Sequence, residues 1–196
     1  MTARALRWLL LVWGGLGAAV ILYVIIAASV KPDHPRAINA RLLVGEMADF
    51  AIARPPRPAP MAPFEFEGRE MTFSDFRGKA LLVNFWATWC APCVRELPSL
   101  GALQAQLGGE DFEVVAIAAD VRGPEAAARF LERLEVRNLK LYADPRLRLM
   151  SEIGGANVLP VSILIDREGR EIGRIVGEAD WTSPEAIALV RAAMTG

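Results

Sequence analysis

The longest stretch of the chain without a charged residue runs from Trp8 to Val30 and is almost entirely apolar. It is long enough to cross a bilayer as an α-helix. A secretory signal peptide is the alternative, but its apolar core would be shorter, and Ala27-Ala28-Ser29 resembles a cleavage site only loosely. The pattern therefore favours a retained transmembrane anchor over residues 8–30, preceded by a short tail of residues 1–7.

The charges that flank this anchor do not decide its orientation. Arg4 and Arg7 precede it, and Lys31, Arg36 and Arg41 follow it. Basic residues are enriched on the cytoplasmic side of membrane helices, and here both ends carry them. The side on which the rest of the chain lies must be inferred from other features.

Residues 31–63 have the composition of a spacer. They hold seven of the thirteen prolines of the chain, and proline-rich segments are extended and semi-rigid. Arg36–Phe50 is compatible with a short helix, and the single histidine, His34, also lies in this segment. We predict a tether that ends near residue 63, where the folded domain begins.

Beyond the tether, the apolar positions predict alternating strands and helices. Ala80–Trp86 and Phe112–Ala118 are near-continuous apolar runs, typical of strands buried on both faces. Cys90–Leu107 is predicted to be a helix that ends at Gly108-Gly109. The other predicted strands are Phe64–Phe66, Met71–Phe73, Leu139–Tyr142, Val161–Ile165 and Glu171–Val176, and the other predicted helices are Pro124–Leu134, Pro145–Ile153 and Pro184–Met194. The alternation predicts an α/β fold over residues 64–196, with a central mixed sheet flanked by helices and an N-terminal β-hairpin.

Composition narrows the classes of function. The hydrophobic fraction of 53% exceeds that of a typical soluble domain, and the anchor accounts for much of the excess. The net charge is −1 and the charged residues are mixed along the chain. No nucleic-acid partner is indicated.

The chemically most informative motif is Trp89-Cys90-Ala91-Pro92-Cys93, which follows a buried strand and opens a helix. A helix N-terminus presents unpaired N–H groups and the positive end of the helix dipole, so a thiolate placed there is stabilised and its pKa falls. We expect Cys90 to be the exposed, attacking sulfur. Cys93, one turn further and more buried, suits the resolving thiol that displaces a captured partner.

Two other interpretations of the cysteine pair are weaker. A structural disulfide across so short a loop would contribute only roughly 2 kcal/mol in the loop-entropy account. A metal site would need further ligands, since two thiolates supply half of a tetrahedral shell and no third cysteine or nearby histidine exists in the sequence. We predict redox chemistry, with no metal and no cofactor.

The motif and its surroundings resemble the TlpA-type branch of the thioredoxin superfamily. The resemblance covers about Phe64 to Met194, and its motifs are specific only in combination. The matching segments are Asn84 to Cys93 with Glu96-Leu97-Pro98, Ser74 to Lys79, Leu159 to Asp166 and Glu178 to Trp181.

The resemblance implies a thioredoxin fold with an inserted αβ segment, in a domain that lies outside the cytoplasmic membrane. Together with the predicted anchor, this gives a single-pass protein of the bacterial inner membrane with its C-terminal domain in the periplasm. It implies reduction of disulfides on exported proteins, often during maturation of cytochrome c or cytochrome oxidase. Electrons in such systems come from a membrane reductase of the DsbD or CcdA kind.

The resemblance also assigns Pro160 to the cis-proline of the family, in a loop that faces the cysteine pair and meets incoming peptides. A strand-start proline is the plainer interpretation. Val161 departs from the threonine of many relatives, so substrate contacts at this loop are expected to differ. We expect Trp89, Pro92, Leu159 and Val161 to contact substrate.

Glu96 lies three residues beyond Cys93 on the same helical face and matches a glutamate of the family. Buried beside thiols, it would have a raised pKa and could relay protons to or from Cys93. An ordinary solvent-facing helix glutamate is the alternative, and the sequence does not decide between them. Asn84 replaces the buried aspartate of thioredoxin and cannot titrate. Trp86 and Trp181 are expected to serve packing.

Other functions share parts of this pattern. An oxidase or isomerase of the same fold would differ from a reductase only in redox poise. A non-catalytic module that binds an apoprotein is a third possibility, although no long hydrophobic groove is indicated. Wild-type-like activity of a Cys90→Ser variant would contradict the interpretation of the protein as an enzyme that acts through Cys90.

Overall fold

The computed structural model describes residues 13, 20–23, 38, 40–154 and 158–195. The chain divides into two compact units, residues 1–35 and residues 36–196. In the first unit, Trp13 and Val20–Tyr23 are helical, while most of the predicted anchor over residues 8–30 and His34 lie outside the described residues. Among the residues that are described, no helix has the length and apolarity to span a bilayer. The anchor therefore stays a prediction.

The second unit is built on a mixed sheet of eight strands in the order β1-β8-β7-β4-β5-β6-β2-β3. Strand β4 is central, pairing parallel to β5 and antiparallel to β7. The strands are β1 Ala51–Pro58, β2 Phe64–Phe66, β3 Arg69–Met71, β4 Ala80–Trp86, β5 Phe112–Ala118, β6 Leu141–Ala143, β7 Val161–Ile165 and β8 Arg170–Val176. The predicted α/β fold with a central mixed sheet is confirmed.

Helices cover both faces of the sheet. They are α1 Ala91–Leu107, α2 Pro124–Arg133, α3 Arg148–Glu152 and α4 Pro184–Met194. Both predicted apolar runs form strands in which every residue is buried. The side chains of β4 alternate between two hydrophobic cores, one on each face of the sheet. Leu82 and Trp86 lie in the larger core, and Leu81, Val83 and Phe85 lie in the smaller core. A strand covered on both faces has no polar side to show, which explains the continuous apolar run.

The N-terminal boundary of this unit corrects the tether prediction. Residues 51–58 form strand β1, which pairs antiparallel with β8 at the edge of the sheet. Just before it, Met47 and Phe50 are buried in the larger core. An edge strand needs N–H groups on one side only, so it tolerates the prolines that suggested a spacer. The pairing is irregular between Ile52 and Arg57, where the prolines lie.

Smaller differences concern element ends. The predicted strand Met71–Phe73 is β3, Arg69–Met71, followed by a 3₁₀ turn at Phe73–Phe76. Thr72 and Asp75 cap that turn reciprocally, so the chain leaves the strand at Thr72. The predicted Pro145–Ile153 helix is reduced to Arg148–Glu152.

Candidate functional site

The cysteine pair lies where the central strand passes into the first long helix. Cys90 is the N-cap of α1, and in this structure it is disulfide-bonded to Cys93. The Cys90 Sγ accepts a hydrogen bond of 3.3 Å from the backbone N–H of Cys93. This N–H is one of the groups that a helix leaves unpaired at its N-terminus, and the positive end of the dipole lies at the same place. A Cys90 thiolate would therefore be stabilised.

The exposure of Cys90 differs from the expectation. Its relative exposure is 5% in the disulfide form, against 1% for Cys93, and both belong to the larger core. The N-cap of a helix that packs on the sheet lies close to the core, so Cys90, the predicted attacking residue, is only slightly more accessible than Cys93, the predicted resolving residue. The neighbouring Trp89 is 66% exposed and provides the open apolar surface beside the pair.

The loop that contains Pro160 reaches the same end of the sheet. The Leu159–Pro160 peptide bond is cis, as the resemblance implies. Val161 opens β7 opposite Phe85, near the end of β4 that leads to Cys90. Val161 is 2% exposed and its side chain lies in the smaller core, which leaves only its backbone for the predicted contact with substrate. Leu159, like Pro92, is half-buried.

Asp120 is a site residue that the sequence interpretation missed. It is buried just beyond β5 and accepts hydrogen bonds from both the N–H and the hydroxyl of Thr88. Burial would raise the pKa of Asp120, but the bonds from Thr88 and Arg122 outweigh it and hold the pKa below its ordinary value. Asp120 thus fixes the turn before Cys90. Asp120 follows β5, which runs parallel to β4, so both strands end at the same edge of the sheet. This position in the sequence could have indicated that Asp120 lies near Cys90.

Glu96 is buried, so it is not the solvent-facing helix glutamate that the sequence left as an alternative. Its carboxylate accepts three hydrogen bonds: from Asn84 Nδ2 at 2.9 Å, Trp181 Nε1 at 2.7 Å and Ala179 N at 3.3 Å. Burial raises the pKa of Glu96 to about 7, against the opposing effect of these three donors, and Glu178 adds to the rise. A carboxyl that is half-ionised near neutral pH one helical turn from Cys93 can both take up and release a proton.

Asn84 and Trp181 donate side-chain hydrogen bonds to this carboxyl. Asn84, as expected, brings no titratable group, and its amide donates to Ser162 Oγ as well as to Glu96. Trp181 was expected only to pack. It is fully buried in the larger core, and its indole N–H is bound to Glu96. Trp181 lies in the segment Glu178 to Trp181, which matches the family, but the sequence does not indicate that it binds Glu96.

In the oxidised protein, Glu96 is expected to make stability fall as the pH rises from about 4.5 to about 7. Over this interval the folded state keeps the carboxyl protonated while the unfolded chain releases the proton, so the folded state loses stability with rising pH. The loss is about 3 kcal/mol at most. Urea unfolding of the wild type and Glu96→Gln near pH 4.5 and near pH 8 measures it. An equal pH dependence in the two proteins would contradict the raised pKa.

Comparison with known proteins places this geometry in a family. The family model described as Redoxin matches residues 58–190, more than half of the chain. Among solved structures, a thiol:disulfide interchange protein of the thioredoxin family from Chlorobium tepidum TLS superposes with a TM-score of 0.59 at 28% identity, covering 71% of this chain and 97% of that one.

Curated relatives carry the name thiol-disulfide oxidoreductase ResA. The protein from Bacillus thuringiensis subsp. konkukian is 31% identical, over 58% of this chain and 64% of its own length. The protein from Geobacillus thermodenitrificans is 33% identical, over 54% of this chain and 59% of its own length. The chain thus spans just under two thirds of the length of the curated relatives that it matches.

Proposed function

Because the chain belongs to the Redoxin family and is a TlpA-type member of the thioredoxin superfamily, we propose that it is a protein thiol:disulfide oxidoreductase that reduces disulfides of other proteins. The observation that carries the proposal is the position of Cys90, at the N-cap of α1 with its sulfur on the N–H of Cys93. A sulfur held there is activated as a thiolate without any cofactor.

The first step is capture of the substrate. In the reduced enzyme, the Cys90 thiolate attacks one sulfur of a substrate disulfide, and the other substrate sulfur leaves as a thiolate with the electron pair of the broken bond. A mixed disulfide between Cys90 and the substrate results. Trp89 offers the exposed apolar surface on which the chain around the substrate cysteine can rest.

The second step is resolution. Cys93 attacks Cys90 Sγ, the Cys90–Cys93 disulfide forms, and the substrate leaves as a second thiolate. The Cys93 thiol must lose its proton for this attack. Glu96, with a pKa of about 7, is the group that receives that proton at neutral pH.

The proposal extends to the cellular location of the protein, its substrates and its electron donor. The apolar run of residues 8–30 supports a single-pass anchor in a bacterial inner membrane, with residues 36–196 on the periplasmic side, where disulfides form. In that setting the substrates are exported proteins, including those used in cytochrome c or cytochrome oxidase maturation. The pair would be reduced again by a membrane donor of the DsbD or CcdA kind.

The reduction potential of the Cys90–Cys93 pair tests the direction of the reaction. Equilibrating the full-length chain with thiol buffers and quantifying the oxidised fraction should give a value near that of thioredoxin, about −270 mV, if the protein is a reductase. A potential near about −120 mV, as in DsbA, would contradict the reductase proposal and favour an oxidase. A Cys90→Ser/Cys93→Ser protein supplies the baseline.

A further inference from the structure

Three hydrogen bonds join the loop between β8 and α4 to Glu96 and Ser99 of α1, and two of them involve Trp181. Its backbone N–H donates to Ser99 Oγ at 3.2 Å and its indole N–H to Glu96 Oε1 at 2.7 Å. The third is the bond from Ala179 N to the same Glu96 oxygen. Trp181 is therefore held at two points, its backbone nitrogen and its indole nitrogen.

The outer side of the same loop is held by residues near the N-terminus of the unit. Asp180 N donates to Glu46 Oε2 at 3.0 Å, and Glu46 N donates to Glu185 Oε1 at 3.0 Å. Ser183 caps α4 directly after the loop. A loop restrained on both sides can hold a buried donor at a fixed point, as a proton-transfer group requires.

We propose that Trp181 is a positioning residue for the redox reaction: its indole N–H holds Glu96 Oε1 so that the carboxylate can receive the proton of Cys93. This inference deepens the proposed function and rests on it. Pairing of a buried indole is not automatic in this core, since Trp86 is equally buried and its Nε1 has no hydrogen-bond partner in the described part of the chain. The bond to Glu96 is thus a specific feature of Trp181.

The indole donor acts on Glu96 in two ways. A hydrogen bond to a carboxylate favours the ionised form, which opposes the cost of burying the charge. With Oε1 on Trp181, the second oxygen remains on Asn84. Without the indole donor, the carboxyl would keep its proton to higher pH, so a smaller fraction of it would be ionised and able to act as a base at neutral pH.

A cavity of about 590 Å³ gives Glu96 an exit for the proton. Besides Glu96 it is lined by the charged residues Glu46, Arg95, Glu178 and Asp180. Arg95 and Glu178 form an ion pair, which leaves the acidic groups in excess on this side. Among the described residues, these four charged groups line the cavity with Glu96, and Cys93 lies three residues before it on α1. On the sheet side, Asn84, which donates to Glu96, and Ser162, which binds Asn84, are neutral.

The protons and electrons of the resolving step balance among Cys93, Cys90, Glu96 and the substrate sulfur. Cys93 gives its proton to the Glu96 carboxylate, and its sulfur forms a bond to Cys90 Sγ. The bond between Cys90 and the substrate sulfur breaks, and the substrate sulfur leaves with the electron pair as a thiolate. Glu96 then releases the proton to solvent through the cavity, so no further oxidant or reductant is required.

The test compares Trp181→Phe with Trp86→Phe in the full-length chain. In the oxidised protein, where the cysteines do not titrate, the ¹³C resonance of the Glu96 carboxyl reports its pKa and is assigned with Glu96→Gln. We expect Trp181→Phe to raise this pKa by about one unit, because one charge-assisted hydrogen bond is lost. Trp86→Phe removes a buried indole without that bond and should leave the pKa of Glu96 unchanged.

The kinetic test follows both steps with a chromogenic aromatic disulfide, which releases one coloured thiol on capture by Cys90 and a second on resolution by Cys93. In Trp181→Phe the second phase should slow roughly fivefold at pH 7, the factor that a one-unit rise gives to the ionised fraction. Its pH inflection should move upwards equally, while the first phase is unchanged. In a Glu96→Gln background, Trp181→Phe should have no further effect.

Several outcomes would overturn the inference. An unmoved pH inflection in Trp181→Phe, or an equal slowing in the Glu96→Gln background, would make Trp181 a packing residue only. If Trp181→Phe does not fold, 3-benzothienylalanine at position 181 keeps the bicyclic shape without the N–H, and the same shift is expected. A Cys90→Ser protein that still gave both phases would refute the proposed function itself, so the two failures are distinguishable.

Discussion

Replacing Cys90 with serine is expected to lower the rate of disulfide reduction by roughly a thousandfold or more, because the variant lacks the only sulfur placed at the N-cap of α1. A serine hydroxyl remains protonated at neutral pH and cannot form a stable bond to a substrate sulfur. Cys93 cannot take its place, since it lies one turn into the helix and is 1% exposed. Reduction of a model protein disulfide by the pre-reduced enzyme measures the loss.

The matched variant Cys93→Ser separates the two steps. It retains the attacking sulfur and should form mixed disulfides that persist, since no resolving thiol remains. Non-reducing electrophoresis should therefore show covalent adducts with Cys93→Ser and none with Cys90→Ser/Cys93→Ser. Near-normal activity of Cys90→Ser would contradict the proposed function, whereas adducts formed through Cys93 alone would show that the roles of the two sulfurs have been assigned wrongly.

The sequence predicted those parts of the fold that depend on local patterns. The runs Ala80–Trp86 and Phe112–Ala118 are legible because strands covered on both faces are continuously apolar. Strand β1 was missed because its pairing partner, β8, lies more than a hundred residues away and an edge strand can be rich in proline. A composition typical of a spacer thus concealed a strand whose formation depends on a distant contact.

The candidate site shows the same division. The cysteine pair and its place at a helix start are local features, so the sequence could place Cys90 at the start of α1 and Cys93 one turn into it. The burial of Glu96 was not predictable, because it depends on donors from two distant elements, Asn84 on β4 and Trp181 before α4. Asp120 was missed for a similar reason, since its bonds to Thr88 exist only once β4 and β5 are paired.

The segment before β1 also bears on the site. Glu46 binds the backbone of Asp180, in the loop that carries Trp181, while Met47 beside it is fully buried. Phe50 packs so closely on β8 that a side chain at Gly173 would collide with its ring, which explains a glycine inside that strand. Residues 46–50 are therefore structural parts of the unit that holds Glu96.

Replacing Phe50 with alanine is accordingly expected to lower the free energy of unfolding by about 3–5 kcal/mol, because it removes a buried ring from the larger core and leaves a cavity. Val44→Ala is the control: Val44 is 54% exposed in the same segment, and its loss should cost less than about 0.5 kcal/mol. Urea unfolding of the two oxidised variants measures the difference. If residues 31–63 were only a tether, Phe50→Ala would be as harmless as Val44→Ala, and a chain beginning at Phe64 would unfold at the same urea concentration as one beginning at Arg36.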